Sequence, residues 1–400
     1  MNVIERMKAD HTELKVDLFR LKQQLPYECK KAYAEKKAYE FYNKAAGLGY
    51  DCHVSVGGLD SITLFLFLRS IGIRVKGVSA SSLEDISIQR VHKALGIETV
   101  RPLMAKHKVI EKYGYPIISK ETANKISLLQ RPTEENATVR HAIITGETGE
   151  YGGNRQNTRM KLALYWLELF GGYENENENV DYLRPDFLVS DECCYYLKEK
   201  PCDNWAKEHI SVPFLGLMAS EGGRRQKSLM QNGCNYFGGS VIRSAPFAIF
   251  SRQDILKLAL EMDGWYLAHR EGFLREGISS GRLRPDHRMP DSIIPEIYGK
   301  IVCTAGTLRT TKAQRTGCSM CGFGIMKERK RPHRFDLLYE KSPEQWDFWL
   351  NTTGFGHVFD WIGFKWRQPY RHGEDAWLSK QTMAALIDAR HGDQLSFFDQ

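Results

Sequence analysis

Two stretches of this sequence carry residue types that can do chemistry. The first is VSVGGLDSITL, Val54 to Leu64, where Gly57 and Gly58 follow an apolar run and Asp60 and Ser61 open the next one. Glycines let a backbone turn its N–H groups inward and let an anion come close. A helix starting here adds the positive end of its dipole, and a Ser in its first turn caps the helix or donates to a phosphate oxygen. Ser55, Gly57, Gly58 and Ser61 are therefore the candidate phosphate contacts, with Asp60 the candidate to aid a Mg2+ on the nucleotide. The second stretch is divided: Cys193 and Cys194 are adjacent, and Cys318 and Cys321 form a C-x-x-C. A C-x-x-C on a Gly-rich turn points two thiolates at one metal group, and iron–sulfur clusters are held by such thiolates. Four ligands close a [4Fe-4S] cluster, whereas three leave one iron open to sulfide. Neighbouring side chains in a helix point about 100° apart, so if only one of the adjacent pair is a ligand, the candidate is Cys194. A four-cysteine set also suits zinc, and a metal-free structural set is the third reading.

The elements that must position these residues follow from periodicity. DCHVSV reads as a strand and DSITLFLFLRSIG as a helix. RVKGVSAS is a second strand, EDISIQRVHKALG a helix and ETVRPLM a third strand. A further strand–helix group runs through ISVPFLGLMASEGGRR and PFAIFSRQDILKLALEM. Strands alternating with helices of this length predict βαβ units, a parallel sheet and right-handed crossovers. Residues 1–45 read as a helical segment. Ile4, Met7, His11, Leu14, Leu18, Leu21 and Leu25 follow the 3-4 spacing of a coiled-coil seam, which implies a homo-oligomer; packing on its own domain is the alternative. Residues 46–262 form the expected nucleotide-binding α/β domain. Residues 263–400 form a less regular region with the C-x-x-C and the basic run KERKRPHR, Lys327 to Arg334. YENENENVD, Tyr173 to Asp181, reads as a solvated loop.

Composition narrows the class. The chain has 400 residues, 42% hydrophobic and 26% charged, which fits a globular protein of two or three domains. No early apolar run resembles a signal peptide and no stretch is long and apolar enough for a membrane span, so the expected compartment is the cytoplasm. A net charge of +7 permits a nucleotide or nucleic-acid partner without demanding one. Nine cysteines, an odd number, argue against a disulfide framework, and Cys29, Cys52, Cys202, Cys234 and Cys303 are expected to be buried or inert.

Val56-Gly57-Gly58-Leu59-Asp60-Ser61 resembles the S-G-G-x-D-S pyrophosphate loop of the PP-loop, or adenine nucleotide alpha-hydrolase, superfamily. Val56 stands where that family has Ser, and Leu59 where it often has Lys, so a hydroxyl donor and a cation are missing from the cradle. SDECCYYLKEKP, Ser190 to Pro201, and RTGCSMCGFG, Arg315 to Gly324, closely resemble segments of the phosphoadenosine phosphosulfate (PAPS) reductase family, of its cluster-bearing type. GYPIISKETANKI, LGLMASEGGRRQ, GCNYF, PFAIFSRQDIL and PEIYGKIV resemble further landmarks of that family in the right order, across roughly residues 45 to 365.

The resemblance implies a Rossmann-like, doubly wound parallel sheet with an irregular cysteine-bearing C-terminal region. It implies a [4Fe-4S] cluster on Cys193, Cys194, Cys318 and Cys321, and ATP or an adenylyl-sulfate nucleotide, with Mg2+, at the loop. ASEGGRR lies near the nucleotide in this family. Glu221 is then expected to orient an Arg, and Arg224 or Arg225 to pair with phosphate or sulfate. Lys120, Lys198 and Arg315 are weaker candidates for anion contacts. Asp60, Cys194 and Arg224 are the expected catalytic residues. The expected activity is sulfur transfer: ATP activates a substrate oxygen, and sulfur from a donor protein is then inserted into a nucleic acid or a small molecule. The alternatives are an APS or PAPS reductase releasing sulfite with an electron donor, and a non-catalytic nucleotide-binding assembly subunit. The family's assimilatory reductases use a tail cysteine, and no cysteine follows Cys321 here.

Overall fold

The computed structural model describes the backbone of residues 3–173, 181–314, 316–318 and 321–398; the side chains of residues 3–12, 224 and 393–398 lie outside that description. Its strands are β1 (Asp51–Ser55), β2 (Lys76–Ser79), β3 (Glu98–Thr99), β4 (Ile117–Ile118), β5 (Ser211–Leu215), β6 (Asn235–Phe237), β7 (Ile242–Ser244), β8 (Ile301–Thr304), β9 (Thr307–Thr310) and β10 (Gly322–Phe323). The first four long helices are α1 (Val3–Gln23), α2 (Tyr27–Gly47), α3 (Leu59–Ser70) and α4 (Ile86–Leu95). The chain divides into two compact units that interleave in sequence. One comprises Met1–Leu103 with Lys198–Ser319, the other Met104–Leu197 with Met320–Gln400. Contiguous segments were expected instead. Hydrophobic patterning reports which face of an element is buried, not which distant segment buries it.

The first unit is mixed α/β, with a six-stranded sheet in the order β3-β2-β1-β5-β7-β6. Every pairing from β3 to β7 is parallel, and only β6 against β7 is antiparallel. A mostly parallel sheet flanked by helices is compatible with a Rossmann-like fold. The expected β1–loop–α3 unit is present, with α3 beginning one residue before Asp60. In α3 every residue from Ile62 to Leu68 is buried, so this helix is apolar on all sides, as a fully enclosed helix must be. The long helix Arg252–Ser279 packs against α3. The third strand is shorter than ETVRPLM suggested, only Glu98–Thr99, with Pro102 limiting extension.

The N-terminal region is two helices rather than one, because Pro26 caps α2 and its ring cannot sit inside a helix. In α2, Lys30, Ala34, Ala38, Phe41 and Ala45 are buried at helical spacing. Lys30 Nζ meets the Asp254 carboxylate at 2.8 Å, and Asp254 also accepts from Ser251 in the capping box of helix Arg252–Ser279. Burial alone pushes the Asp254 carboxyl up; the hydrogen bonds from Lys30 and Ser251 outweigh it and hold the group below the ordinary range. On α1, Leu14, Leu18, Leu21 and the following Leu25 are all exposed, while Phe19 is buried on another face. The remaining seam positions Ile4, Met7 and His11 lie outside the described side chains.

The second unit has its own core, including Ile117, Ile126, Phe170, Val189, Phe335, Phe359 and Phe364. Tyr173 is buried here, at odds with a wholly solvated loop; residues 174–180 lie outside the described set. Much of the run Lys327–Arg334 serves this unit structurally. Arg331, 4% exposed, binds the fully buried Asp336 through two nitrogens, one at 3.0 Å, and reaches Glu374 at 3.2 Å. His333 is buried beside them, its Nε2 2.7 Å from the Lys365 carbonyl. Lys330 pairs with Asp375 at 2.8 Å, and Arg334 pairs with Glu328. Lys327, Arg329 and Lys330 remain exposed. Sequence alone shows a density of bases; it does not show that carboxylates 5 to 45 residues on neutralise them. Among the described residues no helix is long and apolar enough to cross a membrane.

Removing one partner of a buried ion pair leaves an uncompensated charge, at a cost of roughly 3–5 kcal/mol. Asp336→Ala is therefore expected to destabilise the second unit by that amount in chemical denaturation, with Asp336→Asn less affected. A loss below ~1 kcal/mol for the Ala variant would contradict the assigned pairing.

Candidate nucleotide loop and cysteine sites

In the first unit the chain runs β1, β2, β3 outward on one side and returns through β5 on the other side of β1. Ligands of open α/β sheets bind at such a reversal, outside the carboxyl ends of the strands. The loop Val56–Gly58 leaves β1 at this point. Ser55 itself is a ladder residue of β1, opposite Val78 and Leu215, and belongs to the strand rather than the loop. Val56 is buried, and its amide donates to the Val78 carbonyl at 2.8 Å, so the family's hydroxyl position is here a core position.

Neighbouring side chains organise the loop backbone. The imidazole Nε2 of His92, on α4, lies 2.8 Å from the Gly57 carbonyl, while its Nδ1 lies 2.8 Å from the Ser81 hydroxyl. Burial lowers the His92 pKa more than the Gly57 contact raises it, so the ring is neutral at pH 7. A carbonyl only accepts, so Nε2 carries the proton and Nδ1 accepts from Ser81. Carbonyl and N–H point in opposite directions across a planar trans peptide. Anchoring the Gly57 carbonyl on His92 therefore turns the Gly58 N–H the other way.

Ser61 folds back onto the loop. Its hydroxyl accepts from the Gly57 amide at 2.7 Å and donates to the Gly58 carbonyl at 3.0 Å. The Leu59 amide, at the start of α3, donates to the Tyr298 hydroxyl at 3.1 Å. A side chain at Gly58 would collide with that hydroxyl, which is the close approach that requires glycine there. Asp60 pairs with Arg252 at 2.5 Å, and the same guanidinium donates to the Gln314 carbonyl at 2.9 Å. Gly216, just past β5, abuts the loop's far side: an added Cβ would lie 3.1 Å from the backbone of Asp60 and Ser61.

Lys198 stands beside this loop. Its ammonium binds Glu84, whose carboxylate approaches Gly57, and it lies within hydrogen-bonding reach of the Cys318 thiol. Burial pulls the Lys198 pKa down, but Cys318 and Glu84 more than offset it, and the group sits above the ordinary lysine value. One cysteine of the C-x-x-C is thereby brought toward the loop within the first unit. Glu84, His92, Gly216, Arg252 and Tyr298 had not been singled out, and no local pattern marks them.

In ASEGGRR, a single Arg225 nitrogen, Nη1, donates to both carboxylate oxygens of Glu221, each at 2.9 Å. Of the two arginines, Arg225 is the one paired with Glu221. The side chain of Arg224 lies outside the described residues, as does Arg315. Gly222 and Gly223 take φ of +79° and +61°, the left-handed region that suits glycine, and lead into helix Gly223–Asn232.

The other three candidate cysteines belong to the second unit. β4 carries β10 on one side, in parallel register Ile117 to Gly322, and continues from Tyr115, which bridges Val189 in parallel on the other. Cys321 immediately precedes β10, and Cys193 and Cys194 lie on the short helix Glu192–Cys194 just past Val189. The three thiols are thus carried by segments flanking one strand. Gly322 is required for this pairing, because a Cβ there would lie 2.6 Å from the Pro116 carbonyl. Arg334 clamps the turn by donating to the Cys321 and Phe323 carbonyls, both at 3.0 Å. Lys120 opens the helix Lys120–Leu129 in this unit. All nine cysteines are outside disulfides, and Cys29 and Cys303 are exposed rather than buried. Burial pushes the Cys202 and Cys234 thiols up to about 11, as befits inert positions. Among the described residues no group of three or more His, Cys, Asp or Glu forms a ready metal site.

Comparison with models of known protein families, with curated proteins and with solved structures finds no match.

A histidine held neutral in the fold but protonated in the unfolded chain makes stability rise with pH. His92 contributes fully above the ordinary histidine value of 6.5, and its contribution falls away as pH drops through its lowered folded value. His92→Gln keeps an N–H donor for Gly57, so it is expected to flatten the rise of melting temperature with pH below 6.5. An unchanged slope would contradict a neutral His92.

Proposed function

We propose that this chain is a nucleotide-dependent sulfurtransferase of the PAPS reductase type, with an adenine nucleotide alpha-hydrolase-like sheet. The observation that carries the reading is Lys198, which links Glu84 at the phosphate-loop glycine to Cys318 within one unit. A nucleotide loop and a thiol joined by one cation are what chemistry on both a phosphate and a sulfur requires. In the proposed reaction a substrate oxygen attacks the α-phosphorus of ATP. The new O–P bond forms as the bond to the bridging oxygen breaks, and pyrophosphate leaves. The Gly58 amide, turned outward by His92, and the start of α3 stabilise the charge that develops there. Mg2+ is proposed to arrive with the nucleotide. No side chain is assigned to it, since Arg252 engages the Asp60 carboxylate.

Cys193, Cys194, Cys318 and Cys321 are proposed as cluster ligands on their donor chemistry and motif resemblance. With Cys194 the one ligand of the adjacent pair, three thiolates would leave one iron of such a cluster open and would supply a site for sulfide; with all four the cluster would be closed. The chain's own part is to hold the thiols: Arg334 fixes the Cys321 turn, and Lys198 reaches the Cys318 side chain. The sulfur acceptor is proposed to be a nucleic acid or a small molecule, and a donor protein supplies the sulfur. One observation favours a second reading, a nucleotide-binding subunit without catalysis: the Gly57 and Leu59 amides already donate within the chain.

Anaerobically purified protein is expected to be brown, to contain iron and sulfide, and to release pyrophosphate from ATP once a sulfur acceptor is present. Cys194→Ser should abolish sulfur transfer while retaining nucleotide binding. A colourless, zinc-bearing preparation would overturn the cluster proposal. Sulfite from adenylyl sulfate would establish the reductase instead, and nucleotide binding with no turnover would establish the subunit.

A further inference from the structure

Tyr298 does something the proposed chemistry does not use. It follows Glu296 and Ile297, and its ring reaches back 239 residues to the start of α3. There its hydroxyl accepts from the Leu59 amide at 3.1 Å and shares a 2.7 Å hydrogen bond with the Thr316 hydroxyl, two residues before Cys318. Tyr298 is 3% exposed, and burial is the main cause keeping its phenol protonated. Its carbonyl accepts from the Lys312 amide at 3.1 Å, and the Ile297 carbonyl accepts from Ala313, so its backbone is tied to the same segment. A second relay runs parallel: Asp60 to Arg252 at 2.5 Å, and Arg252 to the Gln314 carbonyl at 2.9 Å. Both start in the first turn of α3 and end in the residues that carry Cys318.

The Leu59 amide is one of the donors a helix start offers an anion. In this conformation a neutral hydroxyl occupies it, against the face of Gly58 where a phosphate oxygen would have to come. We propose that the Tyr298 hydroxyl holds the place of a phosphate oxygen at the Leu59 amide, and that exchange for the nucleotide's phosphate frees Thr316, passing the binding event to the Cys318 turn. Tyr298 is on this account a positioning residue. It sets loop occupancy against the conformation of the turn, so that the thiol is released only when a nucleotide is in place. The inference rests on the proposed nucleotide site and adds to it the coupling between loop and cysteine.

The test uses the full-length chain with ATP and inorganic pyrophosphate as probes, read by calorimetry and by amide hydrogen exchange. Tyr298→Phe removes the competitor and keeps the ring. It is expected to bind pyrophosphate roughly three- to tenfold more tightly, the worth of one net hydrogen bond. In wild type, ATP should slow exchange at Leu59 and speed it at Thr316 to Cys318. In Tyr298→Phe the first response should persist and the second should vanish. Thr316→Val should lose the second response without gaining affinity, which guards against a general loosening of the ring pocket. Weaker binding by Tyr298→Phe would make the hydroxyl a phosphate ligand and overturn the proposal, as would an undiminished response at Thr316 to Cys318. If wild type binds neither probe, the nucleotide site itself falls; if it binds both and the variant is indistinguishable, only the coupling falls.

Discussion

The parallel pairing of β1 with β5 is the constraint on which the first unit's site depends. Five residues of each strand lie in register, Asp51 to Ser211 through Ser55 to Leu215, so their carboxyl ends finish level. The chain then has to leave both strands at one place, with α3 beginning there and the backbone after β5 crossing beside it. Glycine at 216 suits that close passage, since an added Cβ would sit tightly at 3.1 Å from the backbone of Asp60 and Ser61. The same geometry puts the helix start, whose first amides have no intrahelical carbonyl to donate to, at the point where the direction of crossover changes. Once β1 and β5 pair, the meeting of loop, helix start and post-β5 backbone at one place is the mechanical consequence.

What the loop does with those donors separates this chain from the simplest phosphate cradle. Ser61 closes on the Gly57 amide, Tyr298 closes on Leu59, and Arg252 takes the Asp60 carboxylate. The Gly57 and Leu59 amides and the Asp60 carboxylate are thus satisfied internally, as buried polar groups must be. His92 is different in kind. It holds a carbonyl rather than a donor, so it fixes the peptide plane without competing for a ligand. Val56 and Leu59, the two departures from the family loop, are core residues here, 6% and 1% exposed. Their apolar character is thus explained by packing, without reference to the nucleotide.

How much of this was legible in sequence divides along physical lines. The strand–loop–helix at residues 51–70 was readable because its signals are local: period-2 apolar residues, two glycines, then a long apolar helix. The alternation that makes a parallel sheet was readable for the same reason. The break at Pro26 between the two N-terminal helices is local too, since proline's fixed φ and missing N–H impose it. Contacts between residues far apart in the chain were not readable. Nothing near Tyr298 marks it as a partner of Leu59, and nothing near Lys198 reports both Glu84 and Cys318. The basic run shows the same limit: Arg331 and His333 look cationic in one dimension, but Asp336 and Glu374 answer them in three. The cysteines were legible as types and spacing, and the strand β4 that separates their segments was not.

The central claim is that the loop at the β1–β5 reversal takes the phosphates of an adenine nucleotide. Calorimetric titration of the full-length chain with ATP, repeated in saturating inorganic pyrophosphate, tests it most directly. Saturable, one-to-one ATP binding that pyrophosphate competes away is the predicted result. Absence of ATP binding, or ATP binding that pyrophosphate leaves untouched, would contradict it.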